Sequence, residues 1–215
     1  MSKVIGIMGE SGSGKTTSMR NLNPAETFYI DCDGKGLSWK GWRNQYNTDN
    51  QNYWKTDKQE TVLNLLDRIN TEEKFAKVKY IVIDTLNGIM VADEVRRMKE
   101  KNYDKWVDMA QCIWKLLDHL YTLRDDLTIL VVCHSQTQKE DDGYTFTRIK
   151  TSGKKLDKLN VESKLTTVLL AEVKDGRHIF HTKADRSTAK TPMGAFEQDE
   201  IENDIVEVIK ALEEF

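Results

Sequence analysis

The sequence predicts an α/β fold: a mostly parallel central sheet flanked by helices, with an antiparallel hairpin extension near the C-terminus. Three observations carry this reading. A glycine-rich loop, Gly9–Thr17, sits between an apolar run and a helical pattern. Two further apolar runs, Tyr80–Asp84 and Leu127–Cys133, are separated by helical patterns and lead into polar residues, the arrangement of strands joined by helical crossovers. Late in the chain, alternating segments flank an Asp175-Gly176 turn, as in a hairpin. The 215 residues are read as a single domain spanning 1–215, large enough for a full core.

The loop Gly9-Glu10-Ser11-Gly12-Ser13-Gly14-Lys15-Thr16-Thr17 fits the phosphate-binding pattern G-x-x-x-x-G-K-[ST] without mismatch. Its flanks fit as well: Lys3–Met8 reads as a buried strand, and Thr16–Leu22 as a helix that stops before Pro24. Successive backbone N–H groups of such a loop point inward at phosphate oxygens, and the helix start adds partial positive charge. Lys15 is expected to reach the β- and γ-phosphates, the Thr16 hydroxyl to ligate Mg2+, and Thr17 to sit near the α-phosphate.

Thr27–Asp33 is a second strand, ending in acids and broken by Gly34-Lys35-Gly36. Leu37–Trp54 is irregular, with room for one short strand. Thr56-Asp57-Lys58-Gln59 has the spacing of a capping box, and Val62, Leu65, Leu66 and Ile69 form the apolar face of the helix behind it. Tyr80-Ile81-Val82-Ile83-Asp84 is the Walker B pattern: a strand buried on both faces is continuously apolar, and its terminal carboxylate emerges at the phosphate end of a parallel sheet. Asp84 is therefore expected in the Mg2+ shell. A long helix, Tyr103–Leu123, carries the stripe Trp106, Met109, Ala110, Ile113, Leu116, Leu117, Leu120 and Tyr121, which is ordinary core packing. Leu127–Cys133 leads into His134-Ser135-Gln136. Asp141-Asp142-Gly143 is a turn before the alternating segment Tyr144–Ile149. Thr167–Val173 and Arg177–Lys183 make the hairpin, Ala184–Phe196 is a loop, and Ile201, Ile205, Val208, Ile209 and Leu212 build a closing helix.

Charged residues make up 31% of the chain and mean hydropathy is −0.61. No apolar run reaches membrane length, and no signal peptide is read at the N-terminus. Cys32, Cys112 and Cys133 match no metal motif and read as reduced core thiols in a cytosolic protein. The net charge of −3 excludes a globally basic nucleic-acid binder, so any such contact must be local. Two segments are locally basic. Arg96, Arg97, Lys99, Lys101 and Lys105 face only Glu100 and Asp104; Arg148, Lys150, Lys154, Lys155 and Lys158 meet only Asp157. The second lies beside Tyr144, Phe146 and Ile149, so cations could track a nucleic-acid backbone while flat side chains meet splayed bases.

The combination of GESGSGKTT, YIVIDT, YDKWVDMAQCIWKLLDHL, VVCHSQ and KTPMGAFEQDEIENDI resembles the phage-encoded nucleotide-binding proteins of the short RecA-like type, associated with single-strand annealing and recombination. The resemblance spans nearly the whole chain. It implies a RecA-like P-loop NTPase core, ATP and Mg2+ as cofactors, single-stranded DNA as partner, cooperation with a single-strand binding protein, and a place in the bacterial host cytoplasm. It also implies roles. In RecA-like proteins a carboxylate from the strand after the loop helix orients the attacking water; Asp33 falls there, where the group normally has Glu, with Asp31 as the alternative on the same side of the strand. His134 falls at the position that senses the γ-phosphate. Lys15, Asp33, Asp84 and His134 are thus the catalytic candidates. Lys183, Arg186 and Lys190 lie where RecA-like subunits donate cations to a neighbour's site, implying a homo-oligomer, ring or filament. This chain starts directly at its first strand, whereas larger RecA-like proteins dock through a preceding segment. Arg96, Arg97, Arg148, Lys150, Lys154, Lys155 and Lys158 are the DNA-binding candidates.

Two other classes share the loop. A small-molecule or nucleotide kinase needs an arginine-bearing lid and an acceptor pocket. A non-hydrolysing ATP-binding loader or assembly factor needs no catalytic carboxylate.

Overall fold

A computed structural model describes residues 1–102, 104–139, 143–152, 158 and 160–215. Among these, nine strands form one sheet: β1 (Lys3–Gly9), β2 (Thr27–Asp31), β3 (Tyr53–Lys55), β4 (Tyr80–Asp84), β5 (Thr128–Lys139), β6 (Thr145–Ile149), β7 (Thr167–Lys174), β8 (Arg177–His181) and β9 (Glu200–Glu202). The order is β3-β2-β4-β5-β1-β7-β8-β9, with β6 paired to β5 off this path. From β3 through β7 all pairings are parallel; β8 and β9 are antiparallel, as is the β5–β6 hairpin. The expected architecture is therefore present.

Alternation sorts the core into two layers. On one face Val4, Met8, Phe28, Ile30, Ile81, Ile83, Ile129 and Val131 pack under α2 (Gln59–Thr71), α3 (Leu86–Arg96) and α4 (Asp104–Leu120). On the other, Ile5, Ile7, Tyr29, Val82, Leu130 and Val132 pack under the turn after β1 and α5 (Ile205–Ala211). Strands buried on both faces explain the unbroken apolar runs.

Several local readings shift. The segment after the glycine loop is a short 3₁₀ helix, Thr17–Asn21, inside the expected Thr16–Leu22. The Ser18 hydroxyl donates to the Lys15 carbonyl at 2.6 Å, and such side-chain bonds compete with regular helix. The capping box does not form: Thr56 Oγ1 accepts from the Lys58 amide, and α2 starts at Gln59 with no side-chain cap. The stretch 37–54 holds a short helix, α1 (Trp42–Gln45), and edge strand β3. Strand β5 continues to Lys139, past the expected end at Cys133. Helix α4 ends at Leu120 rather than Leu123. Ile201, expected in the closing helix, lies instead in the three-residue strand β9, and α5 starts at Ile205 behind the Asp204 cap. Tyr103, the Asp141-Asp142 part of the turn, and Lys154 and Lys155 lie outside the described residues. The Asp175-Gly176 turn is as expected, both residues taking positive φ (51° and 76°), the geometry that matches strand twist in a two-residue hairpin.

Candidate nucleotide site

Strand order gathers the motif residues. β5 lies between β1 and β4, so three strand ends meet: Gly9 is in register with His134, and Asp84 with Asp31 across the β2–β4 pair. Beyond Gly9 the chain turns back through the loop. Gly14 has φ of 98°, and a Cβ there would meet His178 Nδ1 at 2.8 Å, so backbone freedom and close approach both require glycine.

Lys15 is 6% exposed and its ammonium donates to the carbonyls of Gly9 (2.8 Å) and Glu10 (2.5 Å). Burial lowers its pKa to about 8, with the Asp84 carboxylate pulling the other way. Thr16 Oγ1 donates to Asp84 Oδ2 at 2.8 Å, which joins the glycine loop directly to the end of β4. The Tyr29 hydroxyl donates to the same oxygen at 2.5 Å. Asp84 is 3% exposed and its Oδ1 has no hydrogen-bond partner among the described residues. Burial raises its pKa, against the bonds from Tyr29 and Thr16. A buried carboxylate oxygen with no donor is costly alone and suits a divalent cation. The buried Ser13 hydroxyl is likewise without a partner. The residues therefore fit a magnesium-bound triphosphate: Lys15 and the loop amides for phosphate, Thr16 and Asp84 for the ion.

The two acids after β2 differ sharply. Asp31 is buried and spent: Oδ1 accepts from the Gly34 amide (2.8 Å), and Oδ2 from the Gly36 amide (2.8 Å) and the Tyr53 hydroxyl (2.6 Å). It shapes the turn. Asp33 has a largely covered side chain, 18% exposed, whose carboxylate is held by Thr85 Oγ1 (3.0 Å) and the Lys35 ammonium (2.6 Å). The first turn of α3 closes on it, since a Cβ on Gly88 would meet Asp33 Oδ1 at 2.6 Å. Thr85 also caps α3 by accepting from the Gly88 amide.

His134 is half-buried in the middle of β5, where that strand passes the end of β1; burial lowers its pKa, with Lys15 adding to the effect and Asp33 opposing it. Its backbone amide donates to Asn87 Oδ1 at 2.7 Å, and Asn87 Nδ2 donates to the Lys150 carbonyl at 2.8 Å. Asn87 thus ties the start of α3 to both the middle of β5 and the residue after β6. It carried no sequence signal, nor did Tyr29, Thr85 or His178. Their partners are remote in the chain.

The proposed cations fall in different places. Lys183 pairs with Asp199 at 2.6 Å, and Lys190 is tied through its backbone to Val168. Arg186 takes φ of 52°, stacks over the Tyr144 ring at 4.6 Å, and lines a cleft of about 590 Å³ with Glu10–Ser13. Arg96 pairs with Asp57, and Arg97 with Glu100 and Asp108. Arg148 donates to Gln138 Oε1 at 3.1 Å, and Lys158 is exposed. Cys32 and Cys133 are buried, whereas Cys112 is partly exposed. Among the described residues no helix is long and apolar enough to cross a membrane.

Comparison with known families finds one described as AAA domain, matched over residues 1–193. No curated protein matches the chain.

Proposed function

The chain belongs to the AAA domain family, a P-loop nucleotide-binding ATPase class, and from that premise we propose that it binds ATP with Mg2+, hydrolyses it, and couples turnover to single-stranded DNA. The observation that carries the nucleotide part is the Thr16–Asp84 bond at 2.8 Å, with Asp84 Oδ1 buried beside it and without a partner among the described residues. Two Mg2+-binding groups are already together, and one carboxylate oxygen is reserved.

When bound, Mg2+ neutralises charge on the phosphates. The chain's own groups do the rest. Lys15 leaves the carbonyls of Gly9 and Glu10 and holds β/γ oxygens. Asp33, steadied by Thr85 and Lys35, accepts a hydrogen bond from the attacking water and lines it up with the γ-phosphate. Preference for Asp33 over Asp31 rests on Asp31 having three donors already. His134, on β5 in register with Gly9, faces the γ-phosphate from the neighbouring strand.

Single-stranded DNA is proposed to lie along Arg148, Lys150, Lys154, Lys155 and Lys158. Support comes from composition and from Asn87, which bonds both His134 and Lys150, so a change at the tip reaches the basic segment within one side chain. The proposed setting is phage recombination in the bacterial cytoplasm, as a homo-oligomer alongside a single-strand binding protein. Arg186 is the best-placed inter-subunit cation, being beside the loop. The test is ATP turnover with and without single-stranded DNA, Lys15→Ala serving as control. Stimulation by DNA that disappears in the variant supports the reading. DNA-independent turnover, with no DNA retained at low salt, removes its nucleic-acid part.

A further inference from the structure

Helices α2, α3 and α4 leave a pocket of about 330 Å³ between them, and no residue of the glycine loop lines it. Its floor is Met90 from α3 with Met109 and Ile113 from α4, and the partly exposed Cys112 forms a wall. The Gln59 side chain donates to the Cys112 carbonyl at 2.9 Å, which holds the start of α2 against α4 at the rim. Two unbranched methionines let the floor adapt to what enters. The space is at the small end of ligand pockets and suits one apolar side chain carried on a narrow support.

The same chain holds such a side chain out in water. Met193 is 97% exposed, so it does not fill its own chain's pocket. It sits at the corner of a tight turn: the Ala195 amide donates to the Pro192 carbonyl at 3.1 Å, and Gly194 takes the positive φ, 88°, that a type II turn requires after its corner residue. Both arms of the turn are fixed. Lys190 exchanges backbone hydrogen bonds with Val168, 2.8 Å each way, while Ala195 and Phe196 pack against the second core layer. Met193 is therefore presented rigidly, at little further cost in ordering.

We propose that Met193 of one copy seats in the α2–α4 pocket of the next, so that the chain associates head to tail. This rests on the homo-oligomer of the proposed function and names its contact; the ATP and DNA readings do not enter. Knob and pocket are different surfaces, so each copy in a pair keeps one of each open, and the contact repeats into a ring or a filament. The rims match in sign. Lys58, Glu60 and Asp93 stand around the pocket, and Lys190 and Glu197 flank the turn; among the described residues none of the five side chains has an ion pair. Each side thus brings a cation and a carboxylate to the other, around an apolar centre, the usual division between the rim and the core of an interface.

The experiment is sedimentation velocity of the full chain over a concentration series, without DNA. Met193→Glu removes the knob at a position too exposed to affect folding, Met193→Leu keeps it apolar, and Cys112→Phe fills the pocket from its wall. The expected result is wild type and Met193→Leu growing past the dimer as concentration rises, with association of Met193→Glu weakened roughly tenfold or more, the effect of losing an anchor side chain from an interface. Cys112→Phe alone should likewise stay monomeric. An equal mixture of Met193→Glu, which keeps its pocket, and Cys112→Phe, which keeps its knob, should form a dimer and stop there. Met193→Glu assembling like the wild type, or two variants that melt like the wild type yet do not pair, overturns the proposal and leaves the homo-oligomer to another surface. A wild type that stays monomeric at the highest concentration overturns the homo-oligomer itself, and this inference with it.

Discussion

The Tyr29 hydroxyl donates to Asp84 Oδ2 at 2.5 Å from a side chain with no solvent exposure. Tyr29 is wedged edge-on against Tyr46 with ring centroids 5.6 Å apart, so it cannot follow the carboxylate if that moves. It therefore fixes which oxygen of Asp84 stays open. Tyr29→Phe should raise the Mg2+ concentration needed for half-maximal ATP binding by roughly tenfold, the usual effect of losing a group that orients a metal ligand. Tyr53→Phe is the control, because Tyr53 donates to Asp31 instead. ATP affinity measured across a Mg2+ series checks both, and equal behaviour of the two variants would deny Tyr29 its role.

Asp31 and Asp33 should separate stability from turnover. Asp31→Asn places an amide nitrogen among three donors in a buried site and should cost about 2–3 kcal/mol of stability. Asp33→Asn should leave chemical denaturation nearly unchanged and lower ATP turnover about a hundredfold. Denaturation midpoints and steady-state rates on the same preparations decide. Full turnover in Asp33→Asn would favour a non-hydrolytic role for this acid.

The basic segment has a salt signature. Each cation that pairs a phosphate of single-stranded DNA contributes about 0.7 to the slope of log affinity against log salt. Arg148→Ala and Lys150→Ala should each flatten that slope by roughly this amount in a fluorescence titration. Unchanged slopes in both would place the DNA elsewhere.

Asn87→Ala cuts the bonds to the His134 amide and the Lys150 carbonyl. The expected outcome is basal ATP turnover reduced less than the stimulation by single-stranded DNA. Proportional loss of both would mean that Asn87 only supports the fold, at a stability cost of about 1–3 kcal/mol for the buried groups it leaves.

The loop Gly9–Thr17 and the strand Tyr80–Asp84 were legible in the sequence because local composition alone specifies them: glycines at positive φ, a lysine at fixed spacing, an acid closing an apolar run. The sheet and its hairpins followed from the same periodicities. Asp31 and Asp33 were inseparable, since alternation along the expected strand Thr27–Asp33 puts both on one side, whereas β2 ends at Asp31 and Asp33 lies in the bend beyond it. What distinguishes them is the amides of Gly34 and Gly36 and the hydroxyl of Tyr53, 22 residues from Asp31. Tyr29 looked like one more apolar strand residue. His178 reaches Ser13 across 165 residues, a contact that exists only once β7, β8 and β1 have paired. The helix expected after Thr16 shortened because its hydroxyl-rich start offers the backbone other partners.

The most direct measurement of the central claim is ATP affinity with Mg2+ and with chelator, in wild type and Asp84→Ala. Mg2+ should tighten binding to the wild type at least tenfold, and this gain should vanish in the variant because the open oxygen beside Thr16 is gone. Equal affinity with and without Mg2+ in the wild type, or an undiminished Mg2+ gain in Asp84→Ala, would contradict it.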